Sequence, residues 1–343
     1  GGETNRKQKA IDMLRVALIA LTYNSVSKLG PLFDKALNSF LGQDYGDYAV
    51  VIVDNGSSDG TVRALSERCR GGRCTLLPLP RNCGWSCGNN RGALLAKDFD
   101  YFYFVNDDVI LPRDSVRRLV EFAERNRDVG ALHPVIIEGG VAFYGFICGL
   151  GGFCKGLRRP IGRPFSPSTF AAGSAFFTPS RVFFSVGMFP DDFFLYYDEV
   201  DYSWRVWKAG YKVGCLTTTW AYHKGGATLG GNPIAHYYDS ANRIRSIVRN
   251  SPLHELPMRL SLSIAEHAVK YLGYHLSRGN LKTVREGVRG LADGILSIGP
   301  SLRWRSAGGA RAFQSPLVDI RLLVPIKRVR KVLIPLSSSL WWS

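Results

Sequence analysis

Asp107 and Asp108 follow the hydrophobic run Tyr101 to Val105, where two adjacent carboxylates repel each other unless something offsets their charge. A divalent cation shared with phosphate oxygens would do so, and so would simple solvation at a helix cap near Pro112. A second acidic group, Asp198, Glu199 and Asp201, comes directly after Phe193, Phe194, Leu195, Tyr196 and Tyr197. Low-dielectric walls raise a carboxyl's pKa and suit it to accept a proton near neutrality. Helix dipoles also favour acids in a first turn, but that does not account for the aromatic surround.

Asp54 and Asp59 flank the turn around Gly56, where carboxylates can accept hydrogen bonds from a ribose or a base; for Asp59, helix capping is the simpler reading. The run Arg81 to Gly92 has glycines at 84, 88 and 92, which could bring backbone amides near a diphosphate. It matches neither a Walker loop nor a dinucleotide fingerprint. His223, followed by Lys224, Gly225 and Gly226, supplies an imidazole that could join an acidic metal site.

These groups need a scaffold, and the pattern supplies one. Residues 14–23 and 49–53 read as buried strands, with a helix at Pro31 to Leu41 between them, which makes a parallel βαβ unit. Further strands are expected at 74–79, 101–105, 131–137, 174–178 and 211–217, and helices from Thr61, to about Ala96, at 114–127 and at 198–209. Residues 138–167 read as one long loop around a site. Each polar cluster follows the C-terminal end of a strand, where open parallel sheets bind ligands.

The chain has 343 residues, of which 45% are hydrophobic and 21% charged, enough for a large α/β domain with an appended module. Its net charge of +16 draws anionic partners such as nucleic acid, acidic headgroups or phosphorylated small molecules. Residues 253–343 hold fourteen basic and five acidic side chains, a net +9, so the tail is a module distinct in composition. Seven cysteines are too few for a disulfide scaffold, and most are expected to be reduced. Cys69 with Cys74, and Cys83 with Cys87, are near enough to bond locally, and the odd count leaves a thiol. Gly1-Gly2-Glu3 reads as a cloning remnant without a signal peptide. No run approaches the roughly 18 apolar residues of a spanning helix.

Taken in order, the motifs resemble glycosyltransferase family 2, inverting enzymes with the GT-A fold. The pieces are Thr22-Tyr23-Asn24, Asp54 to Ser57, Asn82 to Gly92, Asn106-Asp107-Asp108, Gly173 with Phe176, Gly187-Met188-Phe189, Asp198 to Arg205, Gly210-Tyr211 and His223. The resemblance implies a Rossmann-like, mixed but mainly parallel sheet flanked by helices over 14–250, divided into a nucleotide-binding half (14–110) and an acceptor and catalytic half (111–250). Residues 1–13 would be an extension, and 251–343 a basic amphipathic helical region at a membrane interface.

The resemblance also implies roles. Glu199 would be the catalytic base, with Asp198 in reserve. Asp108 and His223 would hold Mn2+ or Mg2+. Thr22, Tyr23, Asn24, Asp54, Asn82, Gly84, Asn90, Asn106, Asp107 and Lys224 would bind a nucleotide-sugar donor, with Arg243 a further diphosphate partner. Trp85, Tyr197, Asp201, Trp204 and Arg205 would bind the acceptor, and Tyr196 offers another stacking surface.

Helices after Pro252 carry Leu260, Ile264, Ala268, Tyr271 and Leu272 at spacings of three and four, with Gly279 and Gly299 as breaks. Basic amphipathic helices ending in Trp341-Trp342 suit an anionic bilayer surface at the cytoplasmic face of the cell membrane, as does a helical subdomain packed on the catalytic core. Similar tails in the family imply a lipid-linked polyprenol or dolichol diphosphate saccharide as acceptor, in archaeal N-glycan assembly, with GDP-mannose as donor. The competing readings are an inactive membrane scaffold and a basic nucleic-acid-binding protein. No nucleic-acid-reading motif is present, so no nucleic acid partner is expected.

Overall fold

A computed structural model describes residues 13–72, 74–225 and 232–306, apart from the side chains of 270–272. Most of the N-terminal extension, Gly226, the side chains of Tyr271 and Leu272, and Trp341-Trp342 therefore lie outside the described residues.

The elements run β1 (Val16–Thr22), α1 (Ser25–Leu29), α2 (Pro31–Leu41), β2 (Tyr48–Asp54), α3 (Thr61–Arg68), β3 (Thr75–Pro78), α4 (Trp85–Leu95), β4 (Tyr101–Asn106), β5 (Val109–Ile110), α5 (Ser115–Arg125) and β6 (Val129–Glu138). Four short strands follow: β7 (Val141–Phe143), β8 (Phe146–Cys148), β9 (Cys154–Gly156) and β10 (Phe165–Pro167). Then come β11 (Ala175–Pro179), α6 (Ser180–Ser185), α7 (Asp198–Lys208), β12 (Lys212–His223) and α8 (Ile234–Asn250). After a short 3-10 turn, α9 (Leu256–His267) runs into π-helical turns at Ala268–His275, and α10 (Leu281–Leu296) and α11 (Ile298–Trp304) complete the described chain.

Among the described residues, one ten-stranded sheet has the order β10-β12-β6-β11-β4-β1-β2-β3, with β5 on β12 and β7 on β6. β3, β2, β1 and β4 are mutually parallel, as are β6 and β12, while β11 joins the two groups antiparallel to both. Strands covered on both faces read as continuous apolar runs, and β1 and β4 do. One apolar layer collects Leu18, Phe33, Phe40, Ile52, Tyr103 and Leu119, and the opposite layer Ile19, Val53, Phe104, Phe176, Phe183 and Tyr202. A third cluster joins Phe193, Val200 and Trp204 to Ile244, Ile247 and Val248 of α8.

Several expectations change. Residues 138–167 are not one loop, because β7 pairs with β6, β8 with β9 and β10 with β12. The glycine run is largely helical from Trp85: a Cβ at Gly88 would lie 2.3 Å from Leu21, and one at Gly92 2.5 Å from Ile19. Glycines four apart there form the helix face that presses on β1, a packing device and not a phosphate cradle. Gly279 does separate the π-helical turns from α10, whereas Gly299 lies inside α11. The expectation of reduced cysteines is overturned, since Cys69–Cys74, Cys83–Cys87 and Cys148–Cys154 are bonded and only Cys215, buried, is free. Each bond closes a short turn, and Cys148 and Cys154 face each other across β8 and β9.

The described part of the tail packs on the domain. Its α10 lies so close to α8 that a Cβ at Gly290 would sit 2.2 Å from the Tyr237 carbonyl oxygen, and one at Gly294 2.9 Å from Ile244. Gly290→Ala is therefore expected to cost about 1–3 kcal/mol, read from urea unfolding, by forcing the helices apart. An unchanged midpoint would mean that α10 is not held against α8.

Candidate active site

Strand register assembles the site. Thr22 pairs with Asp54, and Leu21 with Asn106, so the ends of β1, β2 and β4 lie at one level. Asp54 is buried; it accepts hydrogen bonds from the Thr22 hydroxyl (3.1 Å) and from the Ser57 amide (2.9 Å) and hydroxyl (2.5 Å). Asn24, in the left-handed region at φ 53°, takes the Ser58 amide on its side-chain oxygen at 2.8 Å. The helix cap of α3 is Gly60, not Asp59, whose carboxylate accepts the Thr61 amide and hydroxyl at 3.1 and 2.6 Å and the Ser27 amide at 2.8 Å; burial opposes its ionised form, but these bonds hold its pKa down to about 2. Tyr23 lies under the Lys28 ammonium. In the next loop, Asn82 accepts the Gly84 amide at 2.9 Å and the Asn55 side-chain amide at 3.0 Å. Gly84 is obligatory: its φ is 93°, and a Cβ would lie 2.5 Å from the Phe194 carbonyl oxygen.

The Asp-Asp turn meets the end of the longest strand. β5 pairs with β12 so that His223 opposes Val109, and the Lys224 amide donates to the Asp108 carbonyl at 3.2 Å. This places His223 Nε2 3.3 Å from Asp108 Oδ1 and Nδ1 3.1 Å from Glu138 Oε2. Burial pulls the imidazolium pKa down, but the hydrogen bonds and charges of Asp108 and Glu138 outweigh it and lift the pKa to about 10. Asp107 takes the Ser25 hydroxyl; burial, then the charge of Asp108, pushes its carboxyl up to about 7.

No group of three or more metal-ligating side chains occurs among the described residues. The donor set nevertheless fits a divalent ion. One carboxylate oxygen and one imidazole nitrogen face each other, and a second carboxylate orients the ring, as metal-binding histidines require. Lys224 is exposed beside this pair.

Trp85 connects the Asn106-Asp107-Asp108 turn to the acidic helix. Its indole N–H donates to Asn106 Oδ1 at 3.0 Å, and its backbone amide donates to the Phe194 carbonyl at 2.8 Å. A Cβ on Gly173 would meet both the Glu199 carboxyl, at 3.3 Å, and the Trp85 ring, at 3.4 Å. Asp108, His223 and Glu199 thus share one edge of the sheet. Burial, with a further push from the charge of Asp239, raises Glu199 to about 7. Asp198 is fully buried and receives the Ser86 hydroxyl; burial and then Glu199 push its pKa well up.

Residues 18–174 match the family model "Glycosyl transferase family 2". That segment is a glycosyl transferase family 2 domain. The chain is 25% identical over 276 residues to the N-acetylglucosaminyl-diphospho-decaprenol L-rhamnosyltransferase of Mycobacterium tuberculosis, covering 71% of this chain and 88% of that one. It is similar in fold to S. aureus TarS 1-349 (TM-score 0.54, 14% identity, 93% of this chain and 92% of that chain). GalNAc-T7, solved with UDP, GalNAc and Mn2+, gives a TM-score of 0.55 at 14% identity over 77% of this chain, which spans 57% of that one. The architecture is GT-A, as the motif order implies.

Several assigned side chains are committed elsewhere. Asn90 does not face a donor: its amide binds the Phe189 carbonyl at 2.9 Å and Asp191 at 2.7 Å. Asp201 is 0% exposed and bonds Arg205 at 2.9 Å and Asn250 at 2.7 Å, and Arg205 reaches the Val186 and Met188 carbonyls at 2.6 and 2.7 Å. Trp204 lies in the third core cluster, and Tyr197 turns inward to the Gly152 carbonyl. These four hold the acidic segment from behind and do not contact an acceptor. Arg243 is also buried, under Phe153 and against Ser263, so it is no diphosphate partner. Sequence reasoning missed Glu138 and the whole of α8. An acid at the end of a buried strand, and Ala241, Ile244, Ile247 and Val248 at helical spacing, were the available signals.

Asp201→Ala leaves the Arg205 guanidinium buried without its carboxylate, and an expected 3–5 kcal/mol loss, roughly, should appear in urea unfolding. A loss below about 1 kcal/mol would show that this pair does not hold the segment.

Proposed function

We propose that this protein moves a sugar from a nucleotide-sugar donor to a hydroxyl of a lipid-linked saccharide, inverting the anomeric carbon, at the cytoplasmic face of the cell membrane. The observation that carries the reading is Glu199, with a pKa of about 7, on the same sheet edge as the Asp108, His223 and Glu138 cluster within a family 2 domain. Glu199 takes the proton from the acceptor hydroxyl as that oxygen attacks the anomeric carbon, and the nucleoside diphosphate leaves from the opposite side. A single displacement of this kind inverts. Asp198, packed on Ser86, fixes the start of the helix and is not the base.

Thr22, Tyr23, Asn24, Asp54, Asn82 and Gly84 frame the nucleoside end of the donor site. Asn106, Asp107 and Lys224 lie on its diphosphate side. Asp108 and His223 would hold Mn2+ or Mg2+, which when bound neutralises charge on the departing diphosphate. Trp85 and the half-exposed Tyr196 flank Glu199 on the acceptor side.

The name of the Mycobacterium tuberculosis relative supports a diphospho-polyprenol saccharide as acceptor and L-rhamnose as the transferred sugar. The GDP-mannose donor and the archaeal N-glycan setting draw no support from that relative. For the membrane surface, the support is an apolar set on the C-terminal helices: Met258, Leu262 and Ile264 of α9, Val269, and Leu281, Val288 and Leu296 of α10 are exposed. No described helix is long and apolar enough to cross a membrane.

Two measurements test the reading. A panel of nucleotide sugars with Mn2+ or Mg2+ should yield one donor that raises the melting temperature, and Asp108→Asn or His223→Ala should abolish the metal-dependent part of that rise. Protection that is the same with and without metal would remove the metal from the reading. Glu199→Gln should lower kcat by about 100-fold or more. Because the base works ionised and its pKa is raised, wild-type kcat/KM should fall as pH drops through about 7. Full activity in Glu199→Gln would end the assignment.

A further inference from the structure

Asp239 lies on α8, the helix that braces the segment carrying the base. The Asn242 amide donates to the Leu195 and Tyr196 carbonyls at 2.9 and 3.0 Å, Tyr238 stacks on Phe194 with centroids 5.3 Å apart, and Arg249 binds Asp192. Asp239 shares that helix face, three residues before Asn242. Its carboxylate is anchored from behind, since Arg243 Nη1 meets Oδ2 at 3.2 Å.

Arg243 cannot drift. Its other nitrogens reach Ser263 at 3.2 Å and His267 at 3.0 Å, and its guanidinium lies 3.7 Å from the Phe153 ring centroid. The anchor is buried, yet the Asp239 side chain remains 30% exposed. A carboxylate held by a buried cation, 30% exposed, on the helix face that meets residues 194–196 has the makings of a sugar-hydroxyl acceptor. Phe194 and Tyr196 of that segment are 38% and 42% exposed.

We propose that Asp239 is an acceptor-binding residue, its carboxylate taking a hydrogen bond from a hydroxyl of the acceptor saccharide bound beside Glu199. This assignment rests on the glycosyltransferase reading and extends it to the acceptor. The same carboxylate acts on the base through space: its charge disfavours ionisation of Glu199, and also of Tyr196 and Tyr197. The other groups around Glu199 are Asp198 on its own helix and the two phenols that precede it, while Gly173 and Trp85 add no titratable group. A residue serving only as the partner of Arg243 would do neither job.

The test uses the full chain, the cognate donor and a short-chain N-acetylglucosaminyl-diphospho-prenol as acceptor. Asp239→Ala should raise the acceptor KM about tenfold or more, the value of a lost charged hydrogen bond, and leave the donor KM unchanged. Asp239→Asn removes the charge but keeps the shape, so the acidic limb of the kcat/KM profile should move to lower pH. That variant also serves if the alanine protein fails to fold, with donor-induced thermal protection as the check on folding. An acceptor KM within twofold of wild type, or donor and acceptor KM rising together with an unmoved acidic limb, would overturn the proposal. If wild-type protein transfers no sugar from any donor, the glycosyltransferase reading falls and takes this one with it. Active wild type beside an unaltered variant sinks the Asp239 assignment alone.

Discussion

Like charges repel, and this fold holds six carboxylates along one edge of a sheet. Asp107, Asp108, Glu138, Asp198, Glu199 and Asp239 converge there, and the surrounding structure is largely arranged to make that tolerable. His223 stands between Asp108 and Glu138, hydroxyls of Ser25 and Ser86 donate to Asp107 and Asp198, and Arg243 holds Asp239. Asp107 and Glu199 are both pushed up to about 7, and Asp198 well above the usual carboxylate range. Burial is the main cause for all three, and the Ser25 and Ser86 hydroxyls offset only part of it at Asp107 and Asp198.

Two groups of strands make the convergence possible. The β1, β2 and β4 ends deliver Thr22, Asp54 and the Asn106 turn, while β6 and β12 deliver Glu138 and His223. Antiparallel β11 joins them, and its approach through Gly173 leaves room for both the Trp85 ring and the Glu199 carboxyl. A side chain at position 173 would occupy the space where the two halves of the site meet. The indole of Trp85 spans that junction by a hydrogen bond on one side and a ring contact on the other.

Much of the frame was legible in the sequence because buried parallel strands announce themselves. The runs ending at Thr22, Asp54 and Asn106 were placed within a residue or two, and the polar clusters after them fell where parallel sheets bind ligands. Residue type in local sequence was less informative about partners. Asp201 and Arg205 read as ligand groups because they are charged and near Glu199, yet they bond each other through one helical turn, and Arg205 donates to a carbonyl 17 residues away in sequence. Arg243 was misread for the same reason, as its partners lie on α9 and on the β8–β9 turn. Glu138 escaped notice because its role depends on register between β6 and β12, which no local window contains. The four-residue glycine period looked like a phosphate loop when it was the imprint of a helix lying on β1.

Two tyrosines in succession, Tyr196 and Tyr197, adopt left-handed backbone angles of 63° and 68° immediately before the acidic helix. Residues with side chains resist that conformation, by an amount on the order of 1–3 kcal/mol each, so neighbouring contacts must hold it. Those contacts come from Asn242 on α8, which is itself clamped by α10 at Gly290 and Gly294. Glu199, the proposed base, is thus mechanically in series with the outer helices: a force that shifts α10 is passed through α8 to a sprung turn and on to that carboxyl. A surface that engages those helices would act as a lever on the chemistry some distance away, without touching either sugar.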